Sequence, residues 1–286
     1  MEIGSICVLG AGTMGNGIAQ VGATTGYKVA LYDIKQEFLD RGMRSISKSL
    51  GRMVKKEDLD EAEASGIEGR IRTTLDLRDA CDGVDMVIEA IPEVLELKKS
   101  VFAEIDGYAP EKAVLATNTS QLSVTAIAAA TERPEKVIGM HWFNPPPMMK
   151  LIEIVVAVQT SPETLELTKN VSVEMGKKPV VCKDAQGFIT TRALTAFLLE
   201  CFRIHEEGLA SAEDIDEAIR LGLNHPMGPL QLSDFIGLDV LEHICETMVD
   251  AYGDRFRMPQ SVISLVHAGR HGAKSGHGFY SWEDKK

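Results

Sequence analysis

The stretch from Ser5 to Asp33, SICVLGAGTMGNGIAQVGATTGYKVALYD, constrains the fold more than any other part of the chain. An apolar run ends at Gly10, and Gly10, Gly12 and Gly15 stand in G-x-G-x-x-G spacing. That spacing alone is a weak signal. Here a helix-like segment follows it, and a second apolar run ends at Asp33, about 20 residues on, completing a strand–turn–helix–strand unit. The glycines allow a tight turn and the close approach of a pyrophosphate, which sits at a helix N-terminus. Gly10, Gly12, Thr13, Met14 and Gly15 are therefore expected around a dinucleotide. A carboxylate at Asp33 accepts hydrogen bonds from ribose hydroxyls and repels a 2′-phosphate. NAD is expected rather than NADP, with Lys35 nearby as the feature that favours the phosphate.

Further apolar runs at 85–91, 113–118 and 136–141 join 5–10 and 28–33 as expected buried parallel strands with helices between them. Residues 151–158 and 178–184 read as additional strands. This βα alternation predicts a doubly wound, Rossmann-type sheet with ligands at the carboxyl ends of its strands. Residues 35–70 differ, carrying helical periodicity, many charges and no strand, and read as an inserted helical pair. After about residue 185 the strand signals stop. Residues 189–208 read as a long helix, 211–224 as a helix with a Ser211 cap and an acidic first turn, and 228–253 as more helix. The expected architecture is α/β: a Rossmann domain over 1–184 with a helical insertion at about 35–70, then an all-α domain over 185–286.

Composition narrows the ligands. With 42 acidic against 30 basic residues and a formal net charge of −12, nucleic acid and anionic membrane are poor partners. An anionic ligand has to be held locally, by helix N-termini or a few lysines. Cys7, Cys81, Cys182, Cys201 and Cys245 are scattered without a C-x-x-C pair, which fits reduced thiols and offers no metal site. The N-terminus lacks the basic region and cleavage site of a secretory signal, and no apolar run approaches the roughly 20 residues that span a bilayer. A cytoplasmic protein is expected.

Polar residues gather where strands should end. Asn118, Thr119 and Ser120 follow the fourth expected strand. They read either as a turn or helix cap, with Ser123 an equally good cap, or as groups that meet substrate and cofactor. His141 ends the next run beside Trp142 and Phe143, and Pro145–Pro147 stiffen the exit. Glu153 follows inside LIEIVV, where an unpaired buried carboxylate is costly. A satisfied core histidine is one reading of His141. Paired with Glu153, it is instead a base with a fixed tautomer and a second ring nitrogen free for proton transfer. Hydride transfer from an alcohol carbon to nicotinamide needs such a base.

The fingerprint, NTS, GMHWFNP and LIEIV, in this order, resemble the 3-hydroxyacyl-CoA dehydrogenases, most closely their bacterial 3-hydroxybutyryl-CoA branch. The resemblance runs essentially end to end, including NHPMGPLQLSDFIGLD (224–239) and KSGHGFY (274–280). It implies NAD as cofactor, an acyl-CoA substrate, a homodimer formed through the helical domain, and oxidation of (S)-3-hydroxyacyl-CoA to 3-oxoacyl-CoA. It further implies His141 as general base, Glu153 as its orienting partner, Ser120 on the substrate's 3-oxygen and Asn144 in the active site. Glu93 and Lys98 match positions near the ribose and nicotinamide, and Asn118 joins them on the cofactor. In the insertion, SLGRMVKK resembles the segment that contacts CoA, which puts Ser49 and Lys56 on the substrate. A solvated helix face is the other reading of Lys48, Arg52, Lys55 and Lys56.

One segment departs from the family pattern. Where the family commonly reads P-G-F-[IV]-x-N-R, this chain has QGFITTR, so Gln186 replaces proline and Thr191 occupies the asparagine position on the substrate. Threonine offers one short hydroxyl in place of an amide's two polar atoms, so substrate positioning or acyl-chain preference is expected to differ. Two other functions stay in view. Other β-hydroxyacid dehydrogenases generally use a lysine base on the helical domain, whereas this chain offers a His–Glu pair. A non-catalytic, crystallin-like NAD-binding relative should have lost the base or its partner, whereas His141, Glu153, Ser120 and Asn144 are all present.

Overall fold

The computed structural model of the chain describes residues 3–283, which form two compact units that divide between Phe188 and Ile189. The first unit is built on one sheet. Its strands are β1 (Ser5–Leu9), β2 (Lys28–Tyr32), β3 (Ile71–Thr74), β4 (Met86–Glu89), β5 (Val114–Thr117), β6 (Val137–Trp142), β7 (Leu151–Val156) and β8 (Lys178–Lys183). They lie in the order β3-β2-β1-β4-β5-β6-β7-β8. The helices between them are α1 (Thr13–Thr25), α2 (Gln36–Lys55), α3 (Glu61–Gly69), α4 (Leu77–Cys81), α5 (Leu95–Asp106), α6 (Val124–Ala128) and α7 (Pro162–Glu174). The chain winds outward from β1 to β3 and returns to β4 on the other side of β1. That reversal puts the switch point, where such sheets hold ligands, at the carboxyl ends of β1 and β4.

Successive strand residues feed opposite faces. Ile6 and Val8 pack with Ile18, Leu39, Ile46, Ile67 and Val171 on one side, while Cys7 and Leu9 pack with Phe102, Ile105 and Ile127 on the other. Burial on both faces is why these strands read as continuous apolar runs. β3 has no counterpart among the expected strands. It is a short edge strand, IRTT, with Arg72 and Thr73 exposed, so no apolar run marks it. The inserted pair is α2 and α3, the latter opened by a capping box between Asp60 and Glu63.

Among the described strands of this sheet, only the β6–β7 pairing is antiparallel. A parallel return needs a crossover of a dozen or more residues, and the short loop 143–150 cannot supply one. The resulting register sets His141 directly opposite Glu153.

The second unit comprises α8 (Thr190–Glu206), α9 (Ala212–Gly222), α10 (Pro229–Ile236), α11 (Leu238–Tyr252) and α12 (Gln260–His267) around Leu198, Phe202, Leu230, Leu241, Met248 and Val262. Ser211 caps α9 by accepting from the Asp214 N–H, above a first turn that carries Glu213 and Asp214. The expected helix over 228–253 breaks at Gly237, whose φ of 103° ends α10 and starts α11.

Two buried aspartates tie the 224–239 and 274–280 motifs together. Asp216 accepts from Leu230 N (2.7 Å), Gln231 N (2.9 Å) and the Tyr280 hydroxyl (2.8 Å). It thereby caps α10, whose own N-cap, Gly228, has no side chain to do so. Asp234 accepts from Phe279 N, Tyr280 N and Trp282 Nε1 at 2.8–3.0 Å. Among the described residues no helix is long and apolar enough to cross a membrane.

Candidate active site

The glycine turn fits a dinucleotide. Gly10 has a φ of 95°, and a Cβ there would lie 2.7 Å from the Ala90 carbonyl oxygen. A Cβ at Gly15 would collide with the Gly10 carbonyl, so α1 can lie this close to β1 only with glycine. At Gly12 a Cβ would meet nothing within 4 Å, which leaves open space over the turn. α1 starts at Thr13 with Gly12 as N-cap and no side chain capping it, so its first-turn N–H groups are left for an anion. Thr13 is exposed and Met14 half-buried.

Asp33 braces the same turn: Oδ2 accepts from Ala11 N and Oδ1 from Ile34 N, both at 2.7 Å. Lys35, the feature that favoured a 2′-phosphate, lies 3.9 Å from Glu37 and over the Phe38 ring.

Beside this turn, β4 and α5 build a buried ionic group that sequence reasoning saw only in part. Glu89, fully buried at the end of β4, accepts from Lys98 Nζ (2.5 Å), Thr117 Oγ1 (2.7 Å) and Ile91 N (2.7 Å). Burial pushes its carboxyl above the ordinary value, against the pull of the Lys98 ammonium. Lys98, expected beside the cofactor, is itself buried. Its ammonium is enclosed by Glu89, the Ile91 carbonyl (3.3 Å) and Glu93 Oε2 (3.4 Å). Glu93, with its side chain 30% exposed, is the member that reaches the surface.

The NTS segment divides its work. Glu93 Oε1 accepts from Thr119 Oγ1 (2.6 Å), Ser120 N (2.8 Å) and Ser120 Oγ (3.1 Å). The cap role falls to Ser123, which accepts from Ala126 N at the start of α6 and donates to Asp184. Asn118 Oδ1 accepts from Trp142 N at 2.9 Å, joining the end of β5 to the end of β6.

His141 and Glu153 meet across β6 and β7, with Nδ1 2.8 Å from Oε2. The two side chains are 8% and 1% exposed. The rings of Phe143 and Phe188 stand 4.5 and 5.8 Å from the imidazole, centre to centre. Nε2 has no hydrogen-bond partner among the described residues. With Glu153 as carboxylate, Nδ1 is assigned as the donor, which leaves Nε2 to accept a proton. Asn144, exposed, opens the loop that leaves β6.

The first unit therefore brings Ser120, Asn118, His141 and Asn144 to the carboxyl ends of β5 and β6, with Glu93 bonded to Ser120. Ser49, half-buried on α2, and exposed Lys56 at its C-cap make no hydrogen bond or ion pair with that group among the described residues. Thr191 lies in the first turn of α8 in the second unit, where its carbonyl accepts from Thr195 Oγ1. Glu89 and Thr117 were missed, although a carboxylate inside a buried run is the same signal that singled out Glu153.

Residues 5–185 match the 3-hydroxyacyl-CoA dehydrogenase, NAD binding domain, and residues 187–282 match the 3-hydroxyacyl-CoA dehydrogenase, C-terminal domain. A probable 3-hydroxybutyryl-CoA dehydrogenase of Deinococcus radiodurans is 44% identical over 276 residues, covering 96% of this chain and 99% of that protein. One of Bacillus subtilis is 42% identical over 286 residues, covering 100% of this chain and 99% of that protein. The crystal structure of (S)-3-hydroxybutyryl-CoA dehydrogenase from Ralstonia eutropha aligns with a TM-score of 0.96 at 39% identity, over 99% of this chain and 100% of that one. With the dinucleotide turn and the polar strand ends in place, the chain belongs to the 3-hydroxyacyl-CoA dehydrogenase family and is an NAD-dependent oxidoreductase.

Proposed function

We propose that this enzyme interconverts (S)-3-hydroxybutyryl-CoA, with other short-chain 3-hydroxyacyl-CoA esters, and the 3-oxoacyl-CoA, using His141 as general base and Glu153 to orient it. The observation that carries the reading is the 2.8 Å contact of His141 Nδ1 with Glu153, which leaves Nε2 open. NAD, when bound, supplies the hydride acceptor. Glu153 holds Nδ1–H and stabilises the imidazolium that forms when Nε2 takes the hydroxyl proton. In the reverse direction Nε2 returns that proton to the carbonyl oxygen.

The Ser120 hydroxyl, held near Glu93, turns to the substrate's 3-oxygen, and Asn144 lies beside the substrate. Gly10, Gly12, Thr13, Met14 and Gly15 receive the pyrophosphate and Asp33 the ribose, while Glu93 and Asn118 stand near the nicotinamide side. Lys98 acts there through Glu93. Ser49 and Lys56 receive the CoA moiety, supported by exposed Lys48, Arg52 and Lys55 on α2. Thr191 sets acyl-chain preference in place of the family's asparagine. A homodimer forms through the helical unit, supported by exposed Leu209, Leu221, Leu223 and Phe235. A reducing, cytoplasmic setting is supported by five free cysteines.

The test follows NADH absorbance with acetoacetyl-CoA, for the wild-type enzyme and for His141→Ala. Turnover that collapses in the variant is expected. NADH binding without wild-type turnover would sink the catalytic reading, and turnover that survives the substitution would remove His141 as base.

A further inference from the structure

Lys177 occupies the turn between α7 and β8 and is 8% exposed. Its Nζ donates to the Pro146 carbonyl at 2.6 Å and the Met149 carbonyl at 2.9 Å, and it lies 5.7 Å from the centre of the Trp142 ring. The next residue, Lys178, donates its N–H to the Lys150 carbonyl at 2.6 Å. Every one of these partners lies between His141 and Glu153 in sequence. No carboxylate comes within ion-pair distance of Lys177 among the described residues.

A buried ammonium is costly, and burial holds the Lys177 pKa below the ordinary lysine value. Two carbonyls and an aromatic face offset that cost. The loop explains why a lysine is needed. Pro145, Pro146 and Pro147 bring no N–H groups, and the loop's own Met148 and Met149 N–H groups both go to the Pro145 carbonyl, so the buried Pro146 takes its donor from outside the loop. A methionine would fill the same space but leave both carbonyls without that donor.

The loop also lies close against α1. A Cβ on Gly17, in α1, would lie 2.7 Å from Pro146 Cδ. The loop thus meets both the helix that follows the dinucleotide turn and a lysine that takes its carbonyls. It carries Asn144, and it joins the strand of His141 to the strand of Glu153.

We propose that Lys177 is a positioning residue for the dehydrogenase reaction: it fixes loop 143–150, and through it the placement of Asn144 and of the His141–Glu153 pair against α1. This rests on the reading of His141 as base. Displacing a reacting group by about 1 Å costs on the order of 10²-fold in rate.

The test uses the full-length enzyme with Lys177→Met and Lys177→Arg. Lys177→Met should bind NADH as the wild type does, by fluorescence titration, while kcat with acetoacetyl-CoA falls about 10- to 100-fold and KM changes much less. The acid limb of kcat/KM for oxidation should move, and Lys177→Arg should recover part of kcat. A folded Lys177→Met enzyme with kcat within about twofold of wild type and an unmoved acid limb overturns the proposal. A lowered melting temperature with unchanged kcat per folded site does the same. If Lys177→Met does not fold, Gly17→Ala decides, because its Cβ displaces Pro146 and leaves the lysine intact. The same fall in kcat supports the proposal, and a folded Gly17→Ala enzyme with wild-type kcat overturns it. A wild-type enzyme without turnover would count against the proposed function and not against Lys177, whose NADH titration and melting temperature remain readable.

Discussion

His141 and Glu153 stand directly opposite each other in the antiparallel pairing of β6 and β7, and this register sets the 2.8 Å contact between imidazole and carboxylate. Because side chains alternate along a strand, a slip of one residue would turn Glu153 to the other face of the sheet. The short proline loop joins the two strands, and Lys177 Nζ donates to its Pro146 and Met149 carbonyls while Lys178 N donates to that of Lys150.

The pair predicts a specific pattern of kinetic damage. His141→Ala should lower kcat at least about 10²-fold, the usual scale of general acid–base catalysis. Glu153→Gln keeps an acceptor beside Nδ1 but no charge for the imidazolium, and should lose about 10- to 100-fold. For wild type, kcat/KM for oxidation should fall on the acid side, as the base becomes protonated. For reduction it should fall on the alkaline side, as the acid loses its proton. Stopped-flow or steady-state profiles in both directions check this, and a flat profile in both would count against the pair.

Glu89 and Lys98 make a second prediction, about stability. Lys98→Met strands the Glu89 carboxylate in a fully buried site, and breaking such a pair by removing one partner costs about 3–5 kcal/mol. The double variant Glu89→Gln/Lys98→Met should recover much of that loss, because no buried charge is left uncompensated. Denaturant titration of the single and double variants measures it. A Lys98→Met enzyme of wild-type stability that no longer binds NADH would show instead that the ammonium works directly on the cofactor.

These residues also show what sequence alone could carry. Strands buried on both faces announce themselves as apolar runs, whereas β3, with Arg72 and Thr73 exposed at the sheet edge, has no such run to read. Glu153 was visible because an acidic residue interrupts LIEIVV. Glu89 sits in an equivalent place, but its partner Lys98 comes from a helix beyond the strand, and nothing in the spacing marks the two as a pair. Lys177 was invisible for a different reason. Its acceptors are main-chain carbonyls, which exist at every residue and leave no pattern in side-chain identity. Ser123 and Ser120 were interchangeable as caps until the fold put Asp184 beside one and Glu93 beside the other.

Asp85 gives a pH-dependent prediction with a definite sign. Burial tends to raise its carboxyl, but Gly4 N, Ser5 N and Ser5 Oγ at 2.9–3.1 Å, with Lys112 at 3.6 Å, hold it below the ordinary value of 3.8. A carboxyl depressed in the folded state contributes stability above its unfolded value, and loses it as pH falls through the folded one. Asp85→Asn should therefore be less stable than wild type at neutral pH, and the gap should close on acidification below 3.8. Urea titrations at both ends of that window measure the gap. A gap of equal size in acid would show that the lost stability is not electrostatic.

The helical unit offers a prediction that leaves the chemistry aside. Asp234 accepts three hydrogen bonds, one at Oδ1 from Phe279 N and two at Oδ2 from Tyr280 N and Trp282 Nε1. Asparagine keeps the shape but presents only one oxygen, so whichever way the amide turns, at least one of these buried donors loses its acceptor. Asp234→Asn should cost about 1–3 kcal/mol, the usual penalty for a stranded buried donor. The two tryptophans separate the units, since Trp142 lies in the first and Trp282 in the second. In a Trp142→Phe background, denaturant unfolding followed by Trp282 fluorescence should shift by that amount when Asp234 is replaced. In a Trp282→Phe background, the Trp142 signal should report unfolding of the sheet at nearly its original midpoint. A shift seen only by Trp142, or by neither, would mean that Asp234 does not hold the 274–280 segment to α10.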